Sequence, residues 1–222
     1  MSHRYSLPRS PLVAMLGLTA LMTVPVGAQY SRMDRPGLQL PFENGRIRVT
    51  QISVPAGGVL PAAGNRVLIY LTADADGRMP ADAVWQSADT GNVQNRGSAT
   101  LEALAIEFKD AFKDPATAQS AGTPPEALDA RYGVDVSTII DNPRVLVTKQ
   151  RYGPIAYGGP LHLHPEDVVV VYLGGGYTWP AADLWGASRV QRGGVEVIPA
   201  NSLHRLSNAG SDRLELLTIV PK

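Results

Sequence analysis

The chain repeats itself, and that limits its possible folds more than any other feature. The stretch ENGRIRVT at 43–50 returns as DNPRVLVT at 141–148. VLIYL at 67–71 returns as VVVYL at 169–173, and NRGSATLEALAI at 95–106 returns as NAGSDRLELLTI at 208–219. The three blocks keep their order, at offsets of 98, 102 and 113. The growing offset puts extra loop residues in the second copy. Each copy holds too many strand-like runs to be one solenoid unit, so two similar domains in tandem are expected.

Those domains should be built from strands. Short β-branched runs occupy 46–54, 67–72, 144–151, 168–173, 195–198 and 214–220, and helical periodicity is scarce. With 22 Gly and 18 Pro, turn material is ample. This is the pattern of an antiparallel sandwich or barrel. Residues 114–125 are rich in Pro, Ala, Ser, Thr and Gly and read as a linker, and 126–132 suit one or two helical turns. The expected organisation is a signal segment at 1–28, a first barrel at 29–112, a linker at 113–130 and a second barrel at 131–222.

The signal segment follows from Arg4 and Arg9, an apolar run from Leu12 to Val24, and small residues up to Ala28. Cleavage after Ala28 and a periplasmic or secreted protein are expected; an uncleaved N-terminal anchor is the alternative. The apolar run is shorter than the ~20 residues of a membrane span, and no other segment suits one. Cleavage removes two arginines from a chain with 20 basic and 20 acidic residues, leaving it slightly acidic. No basic stripe marks a nucleic-acid or anionic-membrane partner. The absence of cysteine excludes disulfides, thiolate metal sites and cysteine nucleophiles.

Chemistry is concentrated in the second copy. Of four histidines, His3 falls in the signal segment, and His162, His164 and His204 remain. Residues two apart on a strand share a face, so His162 and His164 can point inward together. A folded-over sheet can bring His204 opposite them. Clustered neutral imidazoles are the usual mark of a bound divalent ion.

These residues resemble the cupin superfamily. Its second motif is matched by Gly193, Pro199, His204 and Asn208 at the family spacing, with Asn201 in place of a glycine. Asn tolerates a left-handed backbone, so the turn can survive. The first motif is matched by His162 and His164. Its acidic position falls on Asp167 when counted back from Gly174, but only two residues separate Asp167 from His164. Strand parity instead selects Glu166, and Pro165 makes parity unreliable there. Asp167 is the preferred fourth ligand, with Glu166 or a site of three histidines alone as alternatives. The resemblance implies two tandem jelly-roll β-barrels, an all-β fold, and one divalent ion drawn from iron, manganese, zinc, nickel or copper.

The first copy acts as an internal control. The repeat offsets place Leu60 opposite His162, Ala62 opposite His164, Asn65 opposite Asp167 and Gly91 opposite His204. That barrel should bind no metal and should pack against the other as scaffold or supply a pocket of its own. Trp179 and Trp185 lie in the extra loop of the second copy and suit either a pocket wall or a cover for the barrel end. Arg151, Tyr152 and Tyr157 are candidates for anion binding or acid–base work, and surface or packing roles are the alternative. Ser202 and Ser207 flank His204 without a hydrolase arrangement. The expected function is a metal-dependent enzyme (oxygenase, lyase or isomerase) acting on a small oxygen-rich or carboxylate-bearing molecule. The alternatives are a non-catalytic ligand-binding or scaffold module, and a partner-binding protein with incidental histidines. No catalytic residue is assigned, and homo-oligomerisation is left open.

Overall fold

The computed structural model describes residues 40–109, 132–179 and 187–222. The expected signal segment, the linker and nearly all of the expected helical turn lie outside them. Among the described residues the protein is all β, with antiparallel strands and no α-helix. The first half carries β1 (Phe42–Glu43), β2 (Ile47–Val54), β3 (Val59–Leu60), β4 (Arg66–Tyr70), β5 (Ala83–Gln86), β6 (Val93–Gln94) and β7 (Leu101–Phe108). The second carries β8 (Val134–Asn142), β9 (Val145–Tyr152), β10 (Val168–Tyr172), β11 (Gly176–Thr178), β12 (Ser188–Val190), β13 (Val195–Ile198) and β14 (Leu214–Pro221).

The repeat is visible in the strand register. The large sheets run β1-β2-β7-β4-β5 and, in the corresponding order, β8-β9-β14-β10-β13. Val49 and Val67 both pair with Ile106, and their counterparts Val147 and Val169 both pair with Ile219. The three sequence offsets therefore connect equivalent places in two equivalent sheets. Two buried asparagines close equivalent turns. Asn95 accepts from Gly97 N at 3.0 Å and donates to Val54 O and Ala99 O, both at 2.9 Å. Asn208 accepts from Gly210 N at 2.9 Å and donates to Gly153 O and Asp212 O at 2.8 and 2.6 Å.

Both faces of each large sheet are covered. In β4, Leu68 and Tyr70 face inward and pack with Leu60 of β3 and Val93 of β6. In β10, Val168, Val170 and Tyr172 face inward and pack with Leu206 and with Val190 of β12. The alternate residues Val67, Ile69, Val169 and Val171 form one shared core with Ile47, Val49, Leu104, Ile106, Leu217 and Ile219. The two sheets thus lie outer face to outer face. Double coverage explains why β4 and β10 read as continuous apolar runs rather than as alternating ones. Arg192 of the second half also donates to Leu71 O of the first at 2.8 Å.

Strand β8 is absent from the sequence expectation. Its apolar residues do not alternate, because a bulge between Thr138 and Ile140 switches their face. Val134 and Val136 pack in the second half's interior, whereas Ile140 packs in the shared core.

Candidate metal centre

The segment that carries His162 enters through Gly158, which must lack a side chain. A Cβ there would collide with Leu206 O and lie 2.8 Å from the Tyr152 hydroxyl. His162 then pairs with His204 across an antiparallel bridge, each N–H donating to the other's carbonyl at 2.9 and 2.8 Å. His164 follows two residues on, and its carbonyl accepts Asn201 N at 2.7 Å. Asn201 has φ of 59°, so it takes the left-handed turn expected at this position.

The three rings converge. Their centroids lie 5.0, 4.6 and 5.1 Å apart, and one nitrogen from each lies within 4.8 Å of the others. His162 Nδ1 faces Pro160 O at 3.1 Å, and His204 Nδ1 faces Ser202 O at 2.8 Å. A carbonyl only accepts, so each Nδ1 carries a proton, and Nε2 is the nitrogen left to bind an ion. His164 Nδ1 is buried without a hydrogen-bond partner. Burial, reinforced by the facing His162 and His204 rings, lowers the His164 pKa to about 4. Burial also lowers that of His204. A partly buried group of three converging imidazoles with one orphaned nitrogen is a donor set suited to a divalent ion.

The two acidic candidates point elsewhere. Asp167 is buried at 8% exposure; its Oδ1 accepts Ala200 N at 2.8 Å and its Oδ2 accepts Asn44 Nδ2 at 2.7 Å. Glu166 forms an ion pair with Arg46. The convergent group holds His162, His164 and His204 without either carboxylate. Both acids are drawn to the turn between β1 and β2 of the first half, a contact that spacing within the second half cannot reveal.

The first half's counterpart is filled with apolar side chains. The bridge between His162 and His204 corresponds to the pairing of Leu60 with Val93. Val93, and not the expected Gly91, is therefore the structural partner of His204, because the loop offset differs from the strand offset by two residues. Leu60 and Val93 pack in the first half's interior.

Other singled-out residues fall apart from the trio. Trp179 stacks on Tyr157 at 5.1 Å, and Arg205 lies over the same ring at 4.8 Å; Trp185 lies outside the described residues. Arg151 pairs with Glu215 at 3.1 Å on an exposed strand face. Tyr152 is buried and donates to Gln150 Oε1 at 2.6 Å, and burial raises its pKa. Gln150 in turn reaches Thr148 and Thr218, whose hydroxyls lie 2.7 Å apart. Sequence reading missed this buried network. The repeat held a signal for it, since Tyr152, Gln150 and Thr218 stand where the first half has the apolar Val54, Ile52 and Ala105, while Thr148 matches Thr50. The Ser207 hydroxyl is buried and has no partner.

The sequence matches no protein-family model and no curated protein. Solved structures do match. A cupin 2 conserved barrel domain protein from Leptotrichia buccalis superposes with a TM-score of 0.53 at 16% identity, over 82% of this chain and 86% of that one. Salicylate 1,2-dioxygenase from Pseudaminobacter salicylatoxidans superposes with a TM-score of 0.56 at 9% identity, over 84% and 77%. The chain has the cupin fold. At these identities the likeness concerns the fold alone, and the protein's function rests on its own residues.

Proposed function

We propose that this cupin is an exported, metal-dependent small-molecule enzyme. Its residues 29–112 would form a metal-free barrel, and 131–222 a barrel that holds one divalent ion. The observation that carries the reading is the convergence of three imidazoles, two with Nδ1 donating to a carbonyl and one with a buried, unpartnered nitrogen. Such an ion supplies Lewis acidity or lowers the pKa of bound water. Three neutral donors leave its charge uncompensated and its remaining coordination positions open, which favours an anionic or oxygen-rich chelating substrate. Salicylate 1,2-dioxygenase, the fold neighbour, has been crystallised with gentisate, a small oxygen-rich carboxylate. Around the site, Pro160 O and Ser202 O fix the tautomers and planes of His162 and His204. The convergent group holds the three histidines and not Asp167, so this reading takes three histidines as the ligands.

A second reading, a non-catalytic ligand-binding module, is favoured by the buried network of Tyr152, Gln150, Thr148 and Thr218. Those groups satisfy one another and leave no evident general acid or base among themselves.

Elemental analysis of protein purified without chelator tests the site. About one equivalent of metal per chain is expected, and two tightly held equivalents would mean the first half had been misread. His204→Ala should abolish most of the occupancy, whereas a control substitution at His3 should not. Export predicts a mature N-terminus near Gln29; a product in the membrane fraction that retains Met1 would contradict it. Turnover of hydroxylated or carboxylated small molecules by the loaded protein, lost in His204→Ala, separates enzyme from binding module.

A further inference from the structure

Asp167 is a buried carboxylate whose two oxygens accept from an amide side chain and a backbone N–H. Burying an acid on neutral donors is costly unless the bonds it makes are needed. These bonds join three segments, two of which carry the histidines. Asp167 lies three residues after His164. Through Ala200 it holds the turn in which Asn201 N bonds His164 O at 2.7 Å and Ser202 N bonds Pro199 O at 3.1 Å. Ser202 O then orients His204 by accepting from its Nδ1.

The third segment comes from the other half. Asn44 Oδ1 accepts from Arg46 N and Ile47 N at 2.8 and 2.9 Å, closing an Asx turn. Its repeat counterpart Asn142 does the same, accepting from Arg144 N and Val145 N at 2.8 and 3.0 Å. The turn therefore needs only the oxygen of Asn44, and the amide nitrogen is free to grip Asp167. Arg46 of the same turn reaches Glu166.

We propose that Asp167 and Asn44 are positioning residues for the histidine site, so that the metal-free half sets the geometry of the metal-binding half. The inference rests on the metal-binding reading above. It assigns Asp167 to the support of the ligands and not to the ion, and it gives the first half's turn a role in the second half's chemistry.

A donor–acceptor swap tests it. Asn44→Asp keeps the oxygen that closes the Asx turn and sets a carboxylate against a carboxylate. Asp167→Asn keeps an oxygen for Ala200 N and sets an amide N–H against an amide N–H. The double variant restores a complementary pair with its donor and acceptor exchanged. Purified protein is titrated with cobalt(II), following its visible absorption for both affinity and ligand field, and circular dichroism in chelator reports folding. Each single variant should weaken cobalt binding about 10–100-fold, as loss of ligand support typically does. The double variant should recover most of the affinity and the wild-type spectrum. A single Asp167→Asn with wild-type affinity overturns the proposal. So does a double variant no better than its weaker parent, which is the result expected if Asp167 were itself a ligand. A wild-type protein that binds no cobalt removes the metal reading and this inference with it; binding by the wild type without rescue removes this inference alone.

Discussion

A carbonyl oxygen two residues upstream decides what His162 and His204 can do, because it accepts a hydrogen bond from Nδ1 and leaves Nε2 as the nitrogen able to bind an ion. The convergence of the three histidines was legible in the sequence: residues two apart in extended backbone share a side, and His204 sits at a motif position. The acids were not legible. Asp167 and Glu166 are claimed by Asn44 and Arg46, more than a hundred positions away, and no local spacing records that choice. The neighbouring Glu43 yields a pH prediction. Its carboxyl is held down to about 2, from 4.5, chiefly by Arg48 and then by Lys109. The unfolded chain therefore takes up this proton at higher pH than the folded one. The contribution of Glu43 is complete above about 4.5 and is lost as pH falls through about 2. Because the group is exposed, the effect should be small and should shrink in high salt. Thermal melts of wild type and Glu43→Gln across this range check it, the variant showing the shallower decline.

At the level of elements, six strand runs were readable because apolar β-branched residues dominate them, and their observed ends differ from the expected ones by only one or two residues. Strand β8 was not readable, since its bulge sends Val136 and Ile140 to opposite cores and erases any single period. The segment leading to His162 depends on a glycine for a different reason: space. At Gly158 even a methyl group would press on the Leu206 carbonyl and the Tyr152 ring. Gly158→Ala should cost about 1–3 kcal/mol by overpacking. It should also weaken metal binding, because the backbone must shift four residues before a ligand. Denaturant unfolding and a cobalt titration measure the two effects, and an unchanged protein in both would contradict the assigned close approach.

For the whole molecule, duplication could be read from the three repeated blocks, but the use each copy makes of its outer face could not. That face is where Val67, Ile69, Val169, Val171, Leu217 and Ile219 meet in one core. Neither sheet can lose its partner without wetting this surface, and each buried Val, Leu or Ile side chain is worth about 1.5–3 kcal/mol. Heat should therefore melt the protein in one calorimetric transition and not in two, with the calorimetric and van't Hoff enthalpies in agreement. Metal added to the second half should raise the temperature of that single event, because an ion that binds only the native chain stabilises everything that unfolds with it. Trp85, which packs against the shared core from the first half and lies 5.9 Å from Phe108, would then register occupancy of a site its own half does not possess. A duplicate that lacks the three histidines is, in this sense, a thermodynamic readout of its sibling.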